Sequence, residues 1–119
     1  MKLFMKIYNE DKYSAIENLC RDMDAEYETI SYKDLNRSIL EIISGAKESD
    51  GVSSSIPPLY KMPEIILFSG FDDDALDRFL KEFRKKGIEK VQLKAIVTPY
   101  NLNWDLYGLI EHLKNEAKA

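Results

Sequence analysis

Polar side chains able to do chemistry gather at a few points of this chain. Ser69 and Gly70 follow one apolar run, Lys94 sits inside another, and Thr98, Asn101 and Trp104 come just after it. An ammonium, a hydroxyl and a carboxamide brought together can hold an anion or polarise a carbonyl, and a glycine lets a backbone amide approach a ligand closely. Ser69, Gly70, Lys94, Thr98, Asn101 and Trp104 are therefore the candidate ligand-binding set. Each also has a plainer reading. Lys94 can be an edge lysine that reaches past apolar neighbours and discourages edge-to-edge pairing. Thr98, Pro99, Tyr100 and Asn101 have the composition of a turn. Trp104 can pack over the strand ends.

Other chemistries find less support. With one cysteine and one histidine there is no zinc set. Cys20 shares an apolar stripe with Ile16 and Met23 and reads as core, while His112 falls on the polar face of the last helix. Asp72, Asp73 and Asp74 are consecutive, and successive helical residues point about 100° apart, so they do not converge on one cation. A helix cap and a dipole complement account for them. They would also repel a phosphate near Ser69 and Gly70, and no glycine-rich phosphate loop is present. Lys81, Arg84, Lys85 and Lys86 complement the end of the same helix. No catalytic residue, metal ligand or cofactor is assigned.

These groups must be positioned by a small core. The chain has 119 residues, 45% hydrophobic and 32% charged, with a net charge of -4. That length suits one domain. A net acidic chain lacks the basic field that nucleic acids and anionic membranes require. A lone cysteine forms no internal disulfide. The first residues start like a leader, but Lys6 and Asn9 interrupt them, and no apolar run approaches the roughly 20 residues of a membrane span. The expected location is the cytoplasm.

Apolar residues recur every second position or every third and fourth along the chain. Leu3 to Tyr8 and Ile65 to Phe68 read as buried strands, and Tyr27 to Ser31 and Val91 to Val97 as more polar ones. Helices are expected around Ile16, Leu19 and Met23, around Leu35, Ile39 and Ile42, around Leu76, Phe79 and Phe83, and around Leu106, Leu109 and Leu113. Asn9, Asp72 and Asn103 are the expected caps of the first, third and last helices, and Gly45 and Gly87 the expected stops of the second and third. The fold class is α/β: a three-layer, four-stranded, mainly parallel sheet of order 2-1-3-4, built from two βαβα halves. The halves are residues 1–45 and 63–119 of a single domain, joined by a serine- and proline-containing connection at 46–62 that serves as tether or flap. The loops at residues 8–10, 69–72 and 98–103 are expected on one rim, at the C-terminal strand ends where such sheets bind ligands.

The second half carries a further pattern. Ile66-Leu67-Phe68-Ser69-Gly70-Phe71 is followed by Leu93-Lys94-Ala95-Ile96-Val97-Thr98-Pro99-Tyr100-Asn101 and then Trp104. This resembles a bacterial family known only as domain of unknown function 3783. Lys33-Asp34-Leu35-Asn36-Arg37-Ser38 gives the first half a weaker likeness to it. The resemblance implies a small cytoplasmic protein. It marks Ser69, Gly70, Lys94, Thr98, Pro99, Asn101 and Trp104 as motif positions and carries no activity with it.

The expected function is a non-enzymatic binding or regulatory module acting through a protein partner or a homodimer. Tyr60, Phe71, Tyr100 and Trp104 are its candidate contact aromatics. The alternative is a small-ligand sensor or enzyme that uses the strand-end polar groups.

Overall fold

Two apolar runs make the centre of the sheet. In the computed structural model, which describes residues 1–45 and 56–117, β1 (Lys2–Lys6) and β3 (Ile65–Ser69) lie side by side. Leu3, Phe4, Met5, Ile65, Ile66, Leu67 and Phe68 are all buried, so neither face of these strands meets solvent. The more polar β2 (Glu26–Thr29) and β4 (Leu93–Ile96) take the edges, giving the order β2-β1-β3-β4. Both edge pairings are parallel, with Leu3 opposite Tyr27 and Ile66 opposite Lys94. The central pairing of β1 with β3 is antiparallel, with Leu3 opposite Phe68.

That central pairing corrects one expectation. The loop at residues 8–10 leaves β1 at the end of the sheet opposite to the loop at 69–72, so the two do not share a rim. Alternating strands and helices fix the edge crossovers as parallel. They do not fix how the second half is laid against the first.

The chain forms two compact units. The first comprises Met1–Thr29 and Glu64–Ile96, and holds the sheet with α1 (Glu10–Asp22) and α3 (Asp73–Lys85). Asn9 caps α1 by accepting from the Lys12 amide at 2.9 Å, and Asp72 caps α3 by accepting from the Ala75 amide at 2.7 Å. Asp73 and Asp74 lie in the first turn of α3, Arg84 and Lys85 in its last, and Gly87 follows with φ 68°. Ile16, Leu19 and Cys20 of α1 and Phe79 and Phe83 of α3 pack with Leu3, Met5, Ile66 and Phe68, one face of the central strands. Each large side chain so buried contributes roughly 2 kcal/mol before entropy is counted. Phe71 and Leu76 pack against the same cluster.

The second unit comprises Ile30–Pro63 and Val97–Ala119, with α2 (Ile39–Ser44) and α4 (Leu106–Ala117). Leu35, although buried, lies before α2 rather than in it; a 3₁₀ turn at Tyr32–Asp34 occupies that stretch. The start of α2 is set by a capping box. The Glu41 amide donates to Ser38 Oγ at 3.1 Å, and the Ser38 amide donates to Glu41 Oε1 at 3.0 Å. Gly45 closes α2 with φ 74°. At α4 the structure replaces Asn103 with Asp105 as the capping side chain, since Asp105 Oδ1 accepts from the Gly108 amide at 2.6 Å. The chain arrives there with its helix-entry amides already matched. Ile39 N donates to Trp104 O and Leu106 N to Arg37 O, at 2.9 and 3.0 Å. Leu40 N donates to Leu102 O and Tyr107 N to Leu35 O, at 3.0 and 3.1 Å. These bonds satisfy donors that a helix start otherwise leaves open.

Of the expected connection at 46–62, residues 46–55 lie outside the described residues. Beyond them, Leu59 is fully exposed with φ 60°, Tyr60 packs edge-on to Tyr107 at 5.1 Å, and Met62 is buried. Among the described residues no helix is long and apolar enough to cross a membrane.

Candidate functional site

Ser69 ends β3 and Gly70 follows it with φ 73°, a backbone conformation that favours glycine. A methyl group added at Gly70 would come within ordinary contact of Met1, so the dihedral angle and not crowding calls for glycine there. Lys94 stands opposite Ile66 in the register, three residues from Ser69. That is about 10 Å along a strand, and the two side chains point to opposite faces of the sheet. Ser69 and Lys94 are therefore not brought together.

Lys94 Nζ instead lies over the face of the Phe83 ring, 5.1 Å from its centroid. Desolvation, then the positive charges of Lys90 and Arg84, hold its ammonium below the usual lysine range.

In the second unit, Thr98 and Asn101 are engaged with each other. The Thr98 amide donates to Asn101 Oδ1 at 3.0 Å, and the Asn101 amide to Thr98 O at 3.2 Å. The Trp104 amide then donates to Asn101 O at 3.1 Å. The same turn occurs earlier in the chain. The Ser31 amide donates to Asp34 Oδ2 at 2.8 Å, the Asp34 amide to Ser31 O at 2.9 Å, and the Arg37 amide to Asp34 O at 3.0 Å. Thr98 and Asn101 thus repeat a turn that holds the chain's approach to a helix.

Aromatic exposure separates the four candidate contact residues. Phe71 packs edge-on to Phe68 and Phe79, and Tyr60 packs on Tyr107. Tyr100 is 90% exposed, and Trp104 is 39% exposed with its ring edge-on to His112 at 5.0 Å. Leu40, whose amide is bonded to Leu102 O, is 47% exposed in the same stretch. His112 also meets Glu116 Oε1 at 3.0 Å.

One polar group escaped the reading of the sequence. Lys12, in the first turn of α1, is nearly buried and donates to Glu64 Oε1 at 2.6 Å and to Lys90 O at 3.0 Å. Glu64 Oε2 accepts from the Tyr8 amide at 3.0 Å. Burial alone would raise the Glu64 carboxyl, but the hydrogen bonds from Lys12, Tyr8 and Asn9 outweigh it and hold the group below its ordinary range. A lysine at a helix start opposes the helix dipole, which is a faint hint of a partner elsewhere; nothing local points to Glu64. An open cavity of about 300 Å³ adjoins Lys12, lined by Asn9, Asp11 and Ala15 and by the turn around Gly87. The Lys12 ammonium is already occupied, so it serves as a cross-tie between α1, the entry to β3 and the chain before β4.

Cys20 is buried, and desolvation followed by the Glu17 charge pushes its thiol up to about 11, so no thiolate is available near neutral pH. Among the described residues, no group of three or more His, Cys, Asp or Glu side chains is placed to hold a metal ion.

Residues 64–119, a segment that begins beside β3 and runs through α4, match the model of the family described as Domain of unknown function (DUF3783). No curated protein and no solved structure matches the chain.

Proposed function

We propose that this protein is a non-catalytic cytoplasmic binding module that recognises a protein partner through Tyr100, Trp104 and Leu40. The observation that supports the reading is the exposure of Tyr100, at 90%, together with that of Trp104, four residues on, and of Leu40, whose amide is bonded to the intervening Leu102 carbonyl. Exposed tyrosine and tryptophan are the side chains that most often anchor protein interfaces. The Asn101 side chain favours the ligand alternative less, because its Oδ1 accepts from the Thr98 backbone amide. A second copy of this chain is the other candidate occupant.

Trp104 is the sole tryptophan, so its emission reports directly on the surface. Native mass spectrometry over a range of concentrations separates a homodimer from a retained partner. Emission from Trp104 should shift to the blue as either complex forms. Replacing an anchoring aromatic should weaken the complex roughly 30-fold or more, so Tyr100→Ala and Trp104→Ala should each release it. A protein that stays monomeric and retains no partner would overturn the proposal. So would a complex that both variants hold as tightly as the parent.

A further inference from the structure

The first unit holds one arrangement twice, and the second copy lacks a carboxylate. Helices α1 and α3 each have 13 residues, each is capped by the side chain before it, and each starts four positions after the end of β1 or β3. Tyr27 stands opposite Leu3 in β2, and Lys94 stands opposite Ile66, the matching position, in β4. In the first copy three side chains form a closed set. Tyr27 donates its hydroxyl hydrogen to Glu17, Arg21 Nη2 donates to the Tyr27 oxygen at 3.4 Å, and Arg21 Nη2 lies 3.7 Å from Glu17 Oε2. Counting along the helices from their caps, Leu80 takes the place of Glu17 and Arg84 that of Arg21. The second copy keeps the cation, replaces the phenol with an ammonium and loses the carboxylate.

A third cation, Lys90, lies near enough for its charge, like that of Arg84, to act on the Lys94 ammonium. Seven residues (86–92) link α3 to β4, where three (23–25) link α1 to β2. The longer link carries Lys90, whose carbonyl is fixed by Lys12 Nζ at 3.0 Å. Arg84, Lys90 and Lys94 are exposed, and among the described residues none of them enters an ion pair. The end of the α3 dipole accounts for Arg84, but not for Lys90 or Lys94, which come from other elements. Lys94 is further confined by the Phe83 ring beneath it. Like charges gathered without a counter-ion raise the energy of the folded protein, on a chain whose net charge is -4.

We propose that the edge formed by α3 and β4 binds a phosphoryl oxyanion, held by Arg84, Lys90 and Lys94, which supplies there the counter-charge that the Glu17 carboxylate supplies in the other copy. A carboxylate would neutralise one of the three charges. A phosphoryl dianion neutralises two, and its three oxygens suit the planar fork of an arginine together with two ammonium groups. Free phosphate and a phosphomonoester share this chemistry.

The thermal transition of the full chain, followed in inorganic phosphate, in glycerol 2-phosphate and in chloride at matched ionic strength, tests the site. Both phosphates should raise the transition temperature saturably and chloride should not. A larger response to the ester assigns the site to phosphomonoesters, and an equal response assigns it to the free ion. Arg84→Gln and Lys94→Gln should each weaken the response roughly tenfold or more. Leu80→Glu rebuilds the missing carboxylate, and should abolish the response with all three cations still present. Lys81→Gln, on the same helix but paired with Asp77 at 2.9 Å, should leave it unchanged. The proposal is overturned if chloride acts as phosphate does, or if Arg84→Gln and Lys94→Gln bind phosphate as the parent does.

Discussion

The two halves of the chain differ in side chains far more than in backbone bonding. The turn from Ser31 to Arg37 and the turn from Thr98 to Trp104 make the same three hydrogen bonds. The residues after them exchange amide bonds in matched pairs, about an antiparallel bridge between Ser38 and Asp105. Against that repetition, a few positions stand out. Trp104 occupies the place of Arg37, which pairs with Asp34 at 2.8 Å. Lys94 occupies the place of Tyr27. The ion pair of Lys12 and Glu64 has no equivalent, because the position matching Lys12 in α3 is Ala75. A duplicated bonding pattern frees individual side chains to diverge, so a role peculiar to one half should lie where the halves disagree.

The largest effect should come from the unmatched ion pair. Lys12→Met leaves Glu64 without its cation in a largely buried setting and should cost about 3 kcal/mol in urea unfolding. Lys12→Met combined with Glu64→Gln should recover much of that loss, since the cost lies in the stranded charge. The folded Glu64 carboxyl titrates below its ordinary value of 4.5. Its contribution is therefore complete above about pH 4.5 and is lost as pH falls through the folded value. The parent should lose stability in acid more steeply than Lys12→Met. Parallel acid profiles would show that the pair adds nothing to the repeated frame.

The matched turns come next. Asp34→Ala removes an acceptor for the Ser31 amide and the partner of Arg37, and should cost about 2 kcal/mol. Asn101→Ala removes the acceptor for the Thr98 amide in the neutral copy, and should cost about 1 kcal/mol. If Asn101→Ala left stability untouched, its side chain would not be holding the turn, and the equivalence of the two turns would break.

Strands, edge crossovers and strand order were legible in the sequence because apolar density sets burial. Leu3, Phe4 and Met5 and the run from Ile65 to Phe68 could only be central, whereas Tyr27 and Lys94 sit in polar alternation and could only be edges. The antiparallel central pairing was not legible, since no short-range rule links two strands separated by a long connection. The expected rim failed with it. Ser38 and Glu41 spelled a capping box that places the start of α2, and Asp105 precedes the apolar positions of α4 more closely than Asn103 does. The turn chemistry of Thr98 and Asn101 was readable from its residue types; its twin at Ser31 and Asp34 was masked by Leu35, which extends the apolar spacing of α2 back over the turn. The contact of Lys12 with Glu64 spans 52 positions and leaves no local trace.

Smaller effects sharpen the comparison at its divergent positions. Trp104→Arg writes the first half's residue into the second. Because the indole is partly exposed, the change should alter stability by less than about 1 kcal/mol while abolishing the proposed partner binding. A larger loss would make Trp104 a packing residue and transfer the recognition role to Tyr100.

Lys94→Gln should produce the smallest change, a gain of a few tenths of a kcal/mol near neutral pH, because solvent screens the repulsion from Lys90 and Arg84. The sign of its pH dependence is fixed. The folded ammonium titrates below the usual 10.5, so between the folded value and 10.5 the unfolded chain holds more protons. Parent stability attributable to Lys94 must then rise with pH across that interval. The advantage of Lys94→Gln over the parent should shrink on approach to pH 10.5 and vanish above it. Excess phosphate at neutral pH should remove the advantage as well, by supplying the missing counter-charge. An advantage for the parent near neutral pH that was lost as the solution became alkaline would mean that Lys94 is stabilised by a partner in the folded protein, and the contrast with the neutral, hydrogen-bonded Tyr27 would disappear.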